Sequence, residues 1–248
     1  MPVSRVNQDR TAVPSKHAHY GRRSGRKIRD GRQKLIETLL PKLRVSIPAV
    51  GRLGLDKLTK VNGSGCELWL EIGFGQGEHL VAQAVDNPTV LFIGCEPYIN
   101  GVSTLLCTIK AHGIGNIRIY DDDARTLMDA LPDASVDRLF ILFPDPWPKK
   151  RHHKRRFIST ANLDMACRIL KDGAELRFAT DHEGYARWAL WHAIQHEAIA
   201  WQAESPSDWR DRPADWPITR YEKKALTNEH SCTYLSFRRH HRVDVPSI

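Results

Sequence analysis

An aspartate boxed by prolines and followed by a block of basic residues is the strongest chemical signal in this chain. The run is "LFILFPDPWPKKRHHKRRF", Leu139 to Phe157. Pro144, Pro146 and Pro148 each fix φ and lack an amide proton, so their loop is stiff and Asp145 is held in one direction. Trp147 adds a flat apolar surface for packing or stacking. Lys149, Lys150, Arg151, His152, His153, Lys154, Arg155 and Arg156 follow with no acid among them, a composition that attracts phosphates.

A second group lies upstream, in "LEIGFGQGEHL". Gly73, Gly75 and Gly77 let the backbone turn tightly and approach a ligand beside a helix N-terminus. Their spacing is GxGxG, not the GxGxxG of dinucleotide sites. Glu96 in "FIGCEP" is placed to accept from both ribose hydroxyls, and Asp123 in "YDDDA" from an adenine amino group. Asp121 and Asp122 are alternatives in register. Glu71 is placed to hold an amino-acid tail or to support the turn. These acids, with no lysine in the loop, suit an adenosine ligand that carries no phosphate, and S-adenosylmethionine fits best. The plain alternative for each acid is a turn former or helix cap. For Asp181, in "RFATDHEGYA", that role is the N-cap of the next helix. Trp188, Trp191 and Trp201 are expected in packing, while Trp209 and Trp216 stay open. His152 and His153 have no partner at ligand spacing, so no metal is expected.

The elements that must carry these residues alternate. "ELWLEIG", "VLFIGCEP", "NIRIYDDDA", "VDRLFILFP" and "GAELRFATD" read as strands, with helix-like segments between them. That order predicts an α/β fold, a parallel sheet covered on both faces, with the acids at its carboxyl edge. Residues 67–248 form this domain. "HSCTYLSFRRH" alternates and is expected as an antiparallel edge strand. Residues 35–66 read as a lead-in with little periodicity, and 1–34 as a basic, flexible arm unable to bury a core.

The 248 residues are 41% hydrophobic, enough for one sizeable core, and carry a formal charge of +8 that suggests a polyanionic partner. The five cysteines show no CxxC spacing and read as reduced core thiols. With no apolar run long enough for a bilayer and a polar N-terminus, a cytoplasmic protein without a membrane partner is expected.

"FPDPWPKKRHHKRR" resembles the signature of the bacterial tRNA (guanine-N7)-methyltransferases. "LEIGFGQG" is similar to that family's cofactor loop, "RFATDHEGYA" to its next acidic motif and "TRYEKKAL" to its C-terminal substrate motif. The resemblance implies a Rossmann-like class I methyltransferase with a mostly parallel seven-stranded sheet and an antiparallel C-terminal strand. It implies that Glu71, Glu96, Asp123 and Asp145 contact S-adenosylmethionine, and that Asp145 is also the active-site acid. Lys149, Asp181, Thr219, Arg220, Tyr221 and Glu222 would meet the substrate guanosine, position 46 of the tRNA variable loop. Arg151, His152, His153, Lys154, Arg155 and Arg156 would lie on the RNA. No obligate protein partner is implied, and the chain is expected as monomer or homodimer. Three rivals remain: an amino-group nucleic-acid methyltransferase, disfavoured by the displaced acid in "PDPW", a non-catalytic RNA-binding protein on the same fold, and a small-molecule methyltransferase, disfavoured by the arm and the basic block.

Overall fold

The structure, a computed structural model, describes residues 17, 20–59, 65–227 and 231–242, apart from the side chains of Lys57, Thr59 and Tyr221. Seven strands form one sheet: β1 (Leu68–Ile72), β2 (Leu91–Cys95), β3 (Ile117–Tyr120), β4 (Val136–Leu142), β5 (Leu170–Thr180), β6 (Ile199–Trp201) and β7 (Thr233–Arg239). Their spatial order is β3-β2-β1-β4-β5-β7-β6. The first five run parallel, and β7 is antiparallel to both neighbours.

β1 and β2 are buried at every position, as continuous apolar runs with both faces covered must be. The helices are α1 (Asp30–Thr38), α2 (Leu40–Leu43), α3 (Asp56–Thr59), α4 (Glu78–Asp86), α5 (Ile99–His112), α6 (Ala124–Ala130), α7 (Thr160–Ile169), α8 (Glu183–Ile194), α9 (Ser207–Arg210) and α10 (Arg220–Thr227), with a 3-10 turn at Lys150–Arg155. On one face Trp69, Phe92 and Phe140 of the strands join Leu80 and Leu105 of α4 and α5. On the other, Leu70, Ile93 and Ile141 join Leu127, Leu163 and Tyr185 of α6, α7 and α8. Each such leucine, fully buried, contributes about 1.5–3 kcal/mol.

Two features depart from the sequence pattern. β7 is not an edge strand; it is inserted between β5 and β6, with Tyr234, Leu235 and Phe237 all buried. The edge is β6, whose three residues are too few to show a period. The lead-in is also more regular than its punctuation suggests. Leu35, Ile36, Leu39, Leu40 and Leu43 recur at helical spacing, and Leu40 is fully buried beside the α5 cluster. The Val45 amide then donates to the Ile119 carbonyl at 2.8 Å, tying the lead-in to β3.

Candidate active site

β1 and β4 are neighbours, with Ile72 opposite Ile141, yet the chain leaves them toward opposite faces of the sheet. Such a reversal opens a crevice at the carboxyl ends of the strands. A cavity of about 1110 Å³ lies there, bordered by Gly73, Gly75, Glu96, Asp123 and Asp145. The two motifs that stood 72 residues apart in sequence, Gly73 and Asp145, border one cavity because their strands pair.

The glycine turn is held from behind. Gly73, Gly75 and Gly77 all have positive φ, which glycine adopts without strain. A Cβ at Gly101 of α5 would lie 2.0 Å from the Gly75 carbonyl oxygen, so α5 presses directly on the turn. A Cβ at Gly73 would meet nothing within 4 Å; its backbone faces open space. Glu96 accepts from the Gly75 amide and from the Tyr98 amide, each at 2.9 Å. Burial raises its pKa, the two amides oppose that, and Asp145 and Glu71 add to it. Asp123 caps α6 by accepting from the Arg125 amide at 2.9 Å and is gripped by the Arg125 guanidinium at 2.6 and 2.9 Å. Burial pushes its carboxyl upward, but these bonds outweigh it and hold the pKa below the ordinary range. Asp121 pairs with Arg44 and Asp122 with Arg23, so of the three consecutive acids only Asp123 borders the cavity.

The aspartate loop is strained at both ends. Phe143 and Trp147 have φ of 50° and 45°, a region that costs a bulky residue about 1–3 kcal/mol. The Phe143 amide donates to the Ala179 carbonyl at 2.7 Å, and the Pro146 carbonyl accepts from Arg156 Nε at 2.8 Å. These anchors hold the strain, and Asp145 between them stays exposed. The donor set suits a nucleoside with a cationic tail: open glycine backbone, two carboxylates with lone pairs to spare, and no lysine on the turn.

A family model described as "Putative methyltransferase" matches residues 66–235. A tRNA (guanine-N(7)-)-methyltransferase of Rhodospirillum rubrum is 49% identical over 228 residues, covering 92% of this chain and 89% of that protein. One of Agrobacterium fabrum is 45% identical over 222 residues, covering 90% and 95%. The chain belongs to the tRNA (guanine-N7)-methyltransferase family. The solved 16S rRNA (adenine(1408)-N(1))-methyltransferase from Catenulisporales acidiphilia, 13% identical, shares the fold with a TM-score of 0.52 over 79% of this chain and 100% of that one.

The remaining residues singled out in the sequence divide by location. Glu71 is buried and does not border the cavity; its carboxylate lies 2.7 Å from His79 Nδ1. Gly77 packs on Leu105 and does not border the cavity either. Lys149 and Asp181 are exposed outside the cavity lining. The N-cap of α8 is not Asp181 but His182, whose Nδ1 accepts from the Tyr185 amide at 3.1 Å. Thr219 accepts from the Glu222 amide at 3.2 Å, and Arg220 borders the cavity with Nε 3.6 Å from Glu78. Glu222 is buried, accepting from the Tyr234 hydroxyl at 2.5 Å and pairing with Arg212 at 3.2 Å. The Tyr221 side chain lies outside the described residues, as do residues 1–16 of the basic arm.

Within the basic run, Arg151 and Lys154 are exposed. His152 lies 5.9 Å from the Trp147 ring and His153 5.5 Å from Trp188. Arg156, expected on the RNA, is turned inward. It is 4% exposed, bonds the Pro146 and Gly184 carbonyls, and stacks over Tyr185 and Trp188, so it braces the aspartate loop. Trp191, expected in packing, is 58% exposed, while Trp216 is buried. Among the described residues no cluster of His, Cys, Asp or Glu could hold a metal ion. Sequence reasoning missed Arg125, His79 and Gly101. A glycine inside an otherwise regular helix, as in "YINGVSTLL", was the signal for the last. Nothing in the sequence ties His79 to Glu71 except their common strand-turn-helix unit.

Proposed function

We propose that this protein transfers a methyl group from S-adenosylmethionine to N7 of a guanosine in tRNA, at variable-loop position 46. The observation that carries the reading is the single cavity shared by the glycine turn, Glu96 and Asp145, with the cationic Arg155 also on its lining. Membership of the family and the names of its relatives in Rhodospirillum rubrum and Agrobacterium fabrum support the substrate.

When bound, S-adenosylmethionine supplies a methyl group on a positively charged sulfur. Glu96 would hold the ribose and Asp123 the adenine edge, each restrained in advance by the amides and the arginine described above. The guanine N7 lone pair carries no proton, so no residue has to act as a base: one C–S bond breaks, one N–C bond forms, and positive charge moves onto the purine. The task left to the chain is alignment, which can lower a barrier by about 7–11 kcal/mol, and stabilisation of the growing charge. Asp145 is the group for both, since its carboxylate can accept from purine N–H groups as they become more acidic. An adenine would present a different donor pattern and leave the acid poorly satisfied.

Incubation with labelled donor and unmodified tRNA, followed by mild reduction and aniline cleavage, tests this directly. The expected result is one scission, at guanosine 46. Label on an exocyclic amine, or donor binding with no transfer to any tRNA, would overturn it.

A further inference from the structure

Arg155 differs from the other cations of the basic run. Its guanidinium lies 4.9 Å from the ring centroid of Tyr20 and 4.9 Å from that of Trp147. Ring faces against a guanidinium leave its N–H edge available, and that planar fork matches two oxygens of a phosphate. Arg155 Nε is buried without a hydrogen-bond partner among the described residues. A partly desolvated cation in that state is costly, and an anion at its terminal N–H groups lowers the cost.

Tyr20 reaches Arg155 from the N-terminal segment, which is seated on the body. The Ile99 amide donates to the Arg23 carbonyl at 3.0 Å. Asn100 accepts from the Gly25 amide at 2.8 Å and donates to the Arg26 carbonyl at 2.7 Å, engaging the segment's backbone in both directions. Arg23 pairs with Asp122 at 2.7 Å. At Gly25 a Cβ would lie 2.1 Å from the Tyr98 hydroxyl, so a side chain there could not lie down without displacing that ring. Tyr20, Gly21 and Arg22 border the same cavity as Asp145.

We propose that residues 20–26 are part of the RNA site. Clamped by Asn100 across the cavity mouth, they bring Tyr20 against Arg155 and complete, with Trp147, a slot for a phosphodiester beside the target base. Tyr20 and Asn100 are positioning residues that act through Arg155. The inference rests on the tRNA reading for the identity of the polyanion.

The test uses the full chain and two readouts that need no methyl transfer. Hydrogen exchange in the RNA-free protein is expected to be slow at the Gly25 and Ile99 amides, and fast in Asn100→Ala and Gly25→Val. Titration with tRNA at fixed salt is expected to give a Kd about fivefold weaker for Tyr20→Ala, the effect of a partly desolvated cation–π pair, with Tyr20→Phe close to the unsubstituted protein. Unprotected amides in the unsubstituted protein would remove the seat. Equal Kd values for the Ala and Phe variants would remove the stack. A protein that shows both expected results yet methylates no guanosine would sink the activity reading and leave this one standing.

Discussion

The two walls of the cavity hold their charges by opposite means. On the glycine side, carboxylates are tied by hydrogen bonds: both oxygens of Glu96 by backbone amides, and Asp123 by Arg125. At the basic rim, Arg155 is held by aromatic faces instead, which leaves the terminal N–H groups of its guanidinium available. Hydrogen bonds fix an acid's position while leaving it further lone pairs for hydroxyls. Stacking fixes a guanidinium while leaving its fork for an anion. One wall thus suits a nucleoside and the other a polyanion, and Asp145 stands where they meet.

The largest expected effect falls at that meeting point. Asp145→Asn keeps the shape of the loop and removes the charge, so kcat should fall roughly 10²- to 10³-fold, while Kd for tRNA and for S-adenosylmethionine stay within about twofold of the unsubstituted protein. Single-turnover rates beside equilibrium titrations would check it. Full turnover in the variant would leave Asp145 without its role.

Separation of the walls is tested next by Glu96→Gln. A glutamine has one carbonyl oxygen for the two amides of Gly75 and Tyr98, so one N–H loses its acceptor. Donor affinity should weaken roughly 10- to 100-fold, as for charged hydrogen bonds lost in a buried place, with tRNA affinity unchanged. Calorimetry with the donor and titration with tRNA would show it. Equal losses in both would mean that the walls are one mechanical unit.

Neighbouring arginines sharpen the contrast within the basic run. Arg151→Gln should lower the slope of log Kd for tRNA against log salt by about 0.7–0.9, one phosphate contact, without altering thermal stability. Arg156→Gln removes two charge-assisted bonds, one to the aspartate loop at Pro146 and one to α8 at Gly184, and should cost about 2–4 kcal/mol of stability with little change in slope. Reversal of the two results would place Arg156 on the RNA after all.

The difference between those arginines marks how far the sequence could be read. The alternation of strands and helices, the glycine turn and the acids at strand ends were legible because each depends on local periodicity or on the carboxyl-edge rule. Arg156 was not, because eight basic residues in a row look alike until a 3-10 turn points one of them inward. The same holds for β7: alternation shows that a strand is there but not which strands flank it, since a three-residue neighbour leaves no pattern. Tyr20 was hidden for a further reason. Its segment has no apolar period, and what seats it is one asparagine on a distant helix and one glycine with no room for a side chain.

The smallest effect is also the most direct comparison, because each wall carries a titratable reporter. Cys95 ends β2 on the acidic side, and burial, then the carboxylates of Asp123 and Glu96, push its thiol well above the ordinary range. His152 sits at the rim, where partial desolvation, then Arg155, Arg151, Lys149 and Lys154, push its imidazole down. An NMR titration should therefore find His152 below the ordinary midpoint of about 6.5. Phosphates of bound tRNA favour the imidazolium and raise that midpoint. The complex then holds more protons than the separate partners, and affinity should strengthen as pH falls through the window between the two midpoints. Salt at about 0.5 M should raise the His152 midpoint in the RNA-free protein by screening its cations. Cys95 should stay unlabelled by a thiolate-seeking reagent near pH 8 under either salt, since bulk ions do not reach a buried thiol. A His152 midpoint that moves with neither salt nor tRNA would mean that the rim's field does not reach it, and that this part of the wall plays no part in drawing in the RNA.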